Sequence, residues 1–459
     1  MAKLVAIGDS LTQGFQNLAI THVDLSFPAM IARCMGLDVQ AFRTPDFTGS
    51  GGLPCNLEWI ARRVEQRHGD RIGVFGWPAA ALDIVELLDD VEDYWQTGPG
   101  SKPGATELYH NLAVWGFEVG DAYSICAQKA FEVASQNVKD AWFHPPSQPR
   151  MRTTWRVLNP SLDPVRNAYT QIEAAKAIAA AEGGIENLIV WFGANNCLGT
   201  VVDLDASRET TDDPPGPFSD FTLWRPAAFA KEYDPLARGI ADIGAVNVFV
   251  GTVPHVTIPP ITLGIMKDGG PLPEDETYFD YYARFFDRTR GFDPERDPHL
   301  TKTDARHIDE YIDAYNECIL ATARQRNWHV VDTCRVLDEL AVRRNHGSPT
   351  YVLPEALRDL NILYPRFAAD GGLIEGGLIS LDGVHPTTCG YSVVAREFIK
   401  VMNAATGQAI REPDYAAIRA IDSLVSHAPT TLHDIEGMLW FLEQRFHISR
   451  WIKGVSSLR

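Results

Sequence analysis

The strongest constraint on this chain is a set of five short apolar runs: LVAIG at 4–8, NLAVWG at 111–116, NLIVWFG at 187–193, VNVFVGTV at 246–253 and WHVVDT at 328–333. None alternates apolar with polar residues, as a strand with one wet face does. Continuous runs of this length are expected of strands covered by helices on both faces of a parallel sheet. Helix-like stretches lie between them: FPAMIARCMGL at 27–37, RNAYTQIEAAKAIAAAEGG at 166–184 and RHIDEYIDAYNECILATARQRN at 306–327. In the last, Ile308, Tyr311, Ile312, Tyr315, Ile319 and Leu320 recur on one face, the mark of a helix packed on a sheet. This order of strand and helix predicts an α/β fold.

The core segments are separated by long stretches rich in Pro, Gly and charge, at about 38–105, 140–165, 203–230, 256–305 and 336–376. Because they recur between core elements and do not divide the chain once, they read as insertions in one scaffold spanning 1–400. Residues 401–459, including TLHDIEGMLWFLEQRF at 431–446, read as a helical C-terminal extension packed on the same domain.

Composition narrows the partners. A net charge of −19 disfavours phosphate backbones and anionic lipid surfaces, so no nucleic acid is expected. The seven cysteines, at 34, 55, 126, 197, 318, 334 and 389, form no Cys-x-x-Cys pair, which suggests neither a zinc knuckle nor a full disulfide framework. Such usage fits a reducing compartment and favours the cytoplasm, while a secreted protein stripped of its leader presents the same picture. No run approaches the roughly 18 apolar residues of a membrane span, so no integral membrane association is expected.

Chemistry enters where the first run breaks off. In LVAIGDSLTQGF, residues 4–15, Gly8 permits a sharp turn at the end of a buried strand and sets Ser10 in the first turn of a helix, where unpaired N–H groups favour negative charge. A serine there is either a cap or a nucleophile whose attack creates an oxyanion. A nucleophile needs a base. Of thirteen histidines, only His385, in LISLDGVHPTTCGY at 378–391, has an acid poised beside it in a compact turn. Asp382 lies three residues upstream, with Gly383 allowing the bend; its carboxylate can accept a hydrogen bond from Nδ1–H, fixing the tautomer that leaves Nε2 free to accept a proton from serine.

Together these segments resemble the GDSL, or SGNH, hydrolase family. GDSLTQG at 8–14, NLAVWGFEVGD at 111–121, FGANN at 192–196 and DGVHP at 382–386 follow one another in the family's order. The resemblance implies a three-layer α/β/α sandwich, flavodoxin-like, around a mainly parallel five-stranded sheet. It implies Ser10 as nucleophile, His385 as base and Asp382 as its acid, with an oxyanion hole made by the backbone N–H groups of Ser10 and Gly116 and the side-chain amide of Asn195. The implied activity is that of an esterase or lipase acting on a small-molecule or lipid ester through an acyl-enzyme, with no metal and no cofactor. Acyl transfer, carbohydrate O-acetyl ester cleavage at the same site, and an inactive binding protein of the same fold are the alternatives. One departure stands out: Asn196 replaces the aspartate usual in the third block.

Phe15, Trp77, Trp115 and possibly Trp59 lie on or between the site-forming segments and are the candidates for an apolar substrate pocket, set against ordinary core roles. The segment after VPHVTIPP (253–260), through His299, is a candidate lid. His255 reads as a structural loop histidine, and Glu118 and Asp121 read as surface helix-start acids in preference to paired carboxylates for glycosidic chemistry.

Overall fold

Four of the apolar runs form one parallel sheet: β1 (Ala2–Gly8), β2 (Ile185–Trp191), β3 (Asn247–Gly251) and β4 (His329–Val331), hydrogen-bonded in that order. Register sets Gly8 opposite Trp191, Val190 opposite Val250 and Gly251 opposite Val331. The structure is a computed structural model and describes all residues except 70–71, 73–75, 137–145, 218, 285–290, 342–349, 361–365, 368–372, 430–434 and 453–459.

The fifth run corrects the expected strand count. Residues 110–114 lie along the free edge of β1, with Ala6 donating to His110, Leu112 to Ala6 and Val114 to Gly8 at 2.8–3.0 Å, yet only Ala6 and Asn111 form a β-bridge. Two features stop the ladder. Gly8 N–H donates to the Gln171 side chain at 3.1 Å and not to the edge segment, and the chain swings away at Gly116, where φ is +73°. Counting this edge segment second in chain order gives the spatial order 2-1-3-4-5 of a flavodoxin-like sheet, whose switch point falls between β1 and β2.

Successive residues of a strand face opposite sides, and here each side meets helices. Val5, Ile7, Leu188, Val190, Val248 and Val250 share one apolar cluster with Ile172, Leu236, Ile240, Ile308 and Ile312. Leu4, Ala6, Ile189, Phe249 and Val331 share the other with Phe27, Ile31, Val336, Phe398 and Met402. The flanking helices are α2 (Phe27–Cys34), α3 (Gln171–Glu182), α5 (Pro226–Ile243), α6 (Lys302–Arg326), α7 (Thr333–Leu340) and α8 (Thr388–Thr406); α1 (Ser10–Gln13) and α4 (Asn195–Asp203) are short helices that follow β1 and β2. The result is a three-layer α/β/α arrangement. Helix α6 starts four residues before its expected boundary because Thr301 and Asp304 form a reciprocal capping box.

The intervening stretches carry structure of their own. Helices Leu57–His68 and Trp77–Gln96 occupy 38–105, and an antiparallel sheet of Thr262–Ile265, Tyr281–Arg284 and Leu300–Thr301 occupies the expected lid. In the C-terminal segment, helix Ile435–Phe446 places Met438, Leu439 and Leu442 in the same cluster as α3 and α5; its expected start at 431–434 lies outside the described residues. Among the described residues no helix is long and apolar enough to cross a membrane.

Candidate active site

The site forms at the carboxyl ends of β1 and β2, where a doubly wound sheet leaves a crevice. Gly8 ends β1 with its backbone clamped by a buried amide: Gln171 Oε1 accepts Gly8 N–H at 3.1 Å and Gln171 Nε2 donates to Gly8 O at 3.0 Å. A Cβ on Gly8 would lie 2.7 Å from Trp191 O and 2.3 Å from Thr12 Oγ1, so the strand-to-helix turn requires glycine. Asp9 then caps α1, its Oδ1 accepting Leu11 N–H at 3.1 Å. Ser10 follows as the first helical residue.

Ser10 Oγ lies 2.9 Å from His385 Nε2, and His385 Nδ1 lies 3.0 Å from Asp382 Oδ2. Residues 375 positions apart in sequence thus form one relay. The loop carrying the acid and base is over-determined. Asp382 Oδ1 accepts the backbone N–H groups of Val384 and His385 at 2.9 and 2.8 Å, and Oδ2 also accepts Leu18 N–H at 2.9 Å. Burial alone would raise this carboxyl, but the neighbouring imidazole and these donors outweigh it, so its pKa falls below the ordinary value. The Phe15 ring packs on His385 with centroids 4.7 Å apart, and Tyr391 Oη donates to Phe15 O at 2.6 Å.

The second and third sequence blocks are laced to the first. Trp115 N–H donates to Gln13 Oε1 at 2.9 Å, and Asn195 Nδ2 donates to Phe117 O at 2.9 Å, leaving its second amide proton. The backbone N–H groups of Ser10 and Gly116 donate to no protein acceptor among the described residues. Asn196 takes over a tether that a carboxylate would also serve: its Oδ1 accepts Val119 N–H at 3.3 Å, without a buried charge.

An apolar cavity of about 100 Å³ opens at Ser10 and His385 and runs between the sheet end, α4, α7 and α8. Trp191, Leu198, Val256, Leu337, Leu378 and Val394 line it. The aromatic residues expected in a pocket stand elsewhere. Phe15 and Trp115 are fully buried against each other at 5.1 Å, with Trp115 Nε1 donating to Thr153 Oγ1, so they back the triad loop as core. Trp77 begins an outlying helix and Trp59 lies under Arg63; neither borders the cavity. Their position along the chain was misleading because the walls come largely from helices far downstream of them, α4, α7 and α8.

Asn17 is the residue that sequence reasoning missed. At φ +53° it takes the left-handed conformation asparagine tolerates. Its N–H donates to Ser380 Oγ at 2.9 Å, its Oδ1 accepts Leu381 N–H at 3.0 Å and its Nδ2 donates to buried Glu58 at 3.0 Å. One residue thereby joins the segment after Ser10 to the loop carrying Asp382 and His385. Asp121 starts a short helix as expected and accepts Glu118 N–H at 3.0 Å, but it is buried and not a surface acid, and burial raises its pKa.

No family model matches this chain, and no curated protein matches it. Among solved structures it is similar to LAE5, described as an alpha/beta hydrolase enzyme from the metagenome of Lake Arreo, Spain, at 12% identity and a TM-score of 0.30, covering 88% of this chain and 95% of that one. A likeness of that size fixes neither fold nor activity, which are argued from the residues themselves.

Proposed function

We propose that this chain is a serine hydrolase of the GDSL type that cleaves carboxylic esters, with Ser10 as nucleophile, His385 as general base and acid, and Asp382 as the carboxylate that orients the imidazole. The observation that carries this reading is the continuous Oγ–Nε2, Nδ1–Oδ2 relay at 2.9 and 3.0 Å. An ionised Asp382 holds the proton on Nδ1 and leaves Nε2 to accept the serine proton as Oγ attacks the ester carbonyl. The oxyanion then meets the N–H groups of Ser10 and Gly116 and the remaining amide proton of Asn195, donors that in other enzymes are worth about 3 kcal/mol each. Collapse expels the alcohol, protonated by His385, and water attacking the acyl-enzyme restores Ser10.

The cavity supports an apolar acyl group, since its walls are almost entirely aliphatic beyond the catalytic pair. Its one carboxylate, Glu397, is occupied by Tyr351 Oη at 2.5 Å and Lys400 Nζ at 2.7 Å. The test is a series of p-nitrophenyl esters of rising chain length with wild type and Ser10→Ala. Wild type should release nitrophenol, favouring acyl chains longer than acetyl, while the variant stays at background. Equal rates for the two proteins would end the serine mechanism.

A further inference from the structure

A second constellation of reactive side chains lies on α7, on a different face from the cavity wall. Thr333, Val336, Leu337 and Leu340 of this helix line the apolar cavity, while Cys334 and Asp338, four residues apart and hence on one face, look toward His255 in the loop after β3. Cys334 Sγ lies 3.5 Å from His255 Nδ1, and Asp338 Oδ1 lies 2.8 Å from the same nitrogen. The three donor atoms all fall within 4.8 Å of one another, with Cys334 and His255 buried and Asp338 partly so.

We propose that His255, Cys334 and Asp338 form a binding site for one divalent transition metal ion of the zinc type. The donor set is the one such ions select: a thiolate, an imidazole and a carboxylate. Zinc sits about 2.3 Å from sulfur and about 2.0–2.1 Å from nitrogen, so tetrahedral ligands stand roughly 3.3–3.6 Å apart. The sulfur–nitrogen separation already matches; the nitrogen–carboxylate pair has to open by roughly half an ångström, which rotation of the one-third-exposed Asp338 side chain permits. An independent observation points the same way. His255 Nε2 lies 3.2 Å from Asp313 Oδ1, so the ring nitrogen facing away from the site has a carboxylate partner, the outer arrangement that orients metal-bound histidines.

Charge balances as well. Binding releases the thiol proton of Cys334 and the proton on Nδ1 of His255, and the ion with one thiolate and one carboxylate makes a neutral centre suited to a buried site. Three protein ligands leave a fourth position for water. The ion would bridge the loop after β3 to α7 and so brace one wall of the cavity, without touching Ser10, and the inference does not depend on the ester-cleaving reading.

The experiment uses the full chain after chelator treatment, titrated with Co²⁺ as a coloured stand-in for Zn²⁺. Wild type and Ser10→Ala should develop a thiolate-to-cobalt charge-transfer band saturating at one equivalent and reversed by Zn²⁺. Cys334→Ser, a change of one atom whose fold is checked by circular dichroism, should lack the band. Asp313→Asn should keep it with metal affinity weakened about tenfold or more. Absence of the band in wild type, or an undiminished band in Cys334→Ser, overturns the proposal. Equal metal affinity in wild type and Asp313→Asn removes the orienting role of that carboxylate and with it the independent support.

Discussion

Replacing Asp9 by Asn should stabilise the protein by an amount that depends on pH in a defined way. Asp9 is 1% exposed; its Oδ1 accepts one backbone N–H, and its Oδ2 is buried without a partner among the described residues. Burial therefore raises its pKa from 3.8 to about 7. Below pH 3.8 the group is protonated both folded and unfolded and costs nothing. Between 3.8 and about 7 the folded chain keeps a proton that the unfolded chain releases, so stability falls by about 1.4 kcal/mol per pH unit. Above about 7 both states are ionised and the loss is constant, on the order of 4 kcal/mol. An asparagine preserves the cap through its side-chain oxygen and never ionises. Urea unfolding of both proteins at pH 4, 5.5, 7 and 8.5 gives the difference in stability, from which all other titrating groups cancel. That difference should climb with pH and level off near 7. Parallel curves would show that Asp9 is not held neutral in the fold.

Two further outcomes follow from the same geometry. Asp382→Asn should lower kcat on the order of 10⁴-fold with little change in KM, because an amide favours the wrong imidazole tautomer; a loss under tenfold in steady-state kinetics would remove Asp382 from the relay. Gly390→Ala should lower the urea midpoint by an amount equivalent to about 1–3 kcal/mol. The new Cβ would lie 2.2 Å from Leu378 O and 2.8 Å from Pro386 Cβ, forcing apart the helix start and the loop that presents His385; an unchanged midpoint would mean the loop yields freely.

What the sequence made legible was local. A strand that ends on Gly-Asp-Ser and an acid three residues before a histidine are short-range patterns, and the structure brings Ser10, His385 and Asp382 within hydrogen-bonding reach. Long-range surroundings were not legible. Phe15 and Trp115 neighbour the nucleophile along the chain, yet the fold turns both inward behind the histidine and builds the cavity from Leu198, Val256, Leu337 and Val394. The edge segment at 110–114 carries a strand's composition, but capture of Gly8 N–H by the Gln171 side chain and the turn at Gly116 override it. The capping box of Thr301 and Asp304 was readable in TKTD and fixes the helix start; Asn17 offered only the tolerance of asparagine for positive φ, too weak a cue to reveal a hub that contacts residues more than 360 positions away.

Asp9, beside Ser10, and Asp382, beside His385, are shifted in opposite directions by their surroundings. Both Asp9 and Asp382 are nearly inaccessible to water, so the same desolvation acts on each. Asp382 offsets it with three backbone donors and an imidazole, and its pKa falls; Asp9 has one donor, and its pKa rises. The adjacent imidazole's charge, together with the hydrogen bonds and not burial, separates them. A carboxylate fixed behind His385 can stabilise an imidazolium as it forms, whereas a second fixed charge beside Ser10 would oppose the oxyanion that attack creates. On the proposed mechanism, the raised pKa of Asp9 limits negative charge beside Ser10 only below about pH 7, whereas Asp382 stays ionised behind His385.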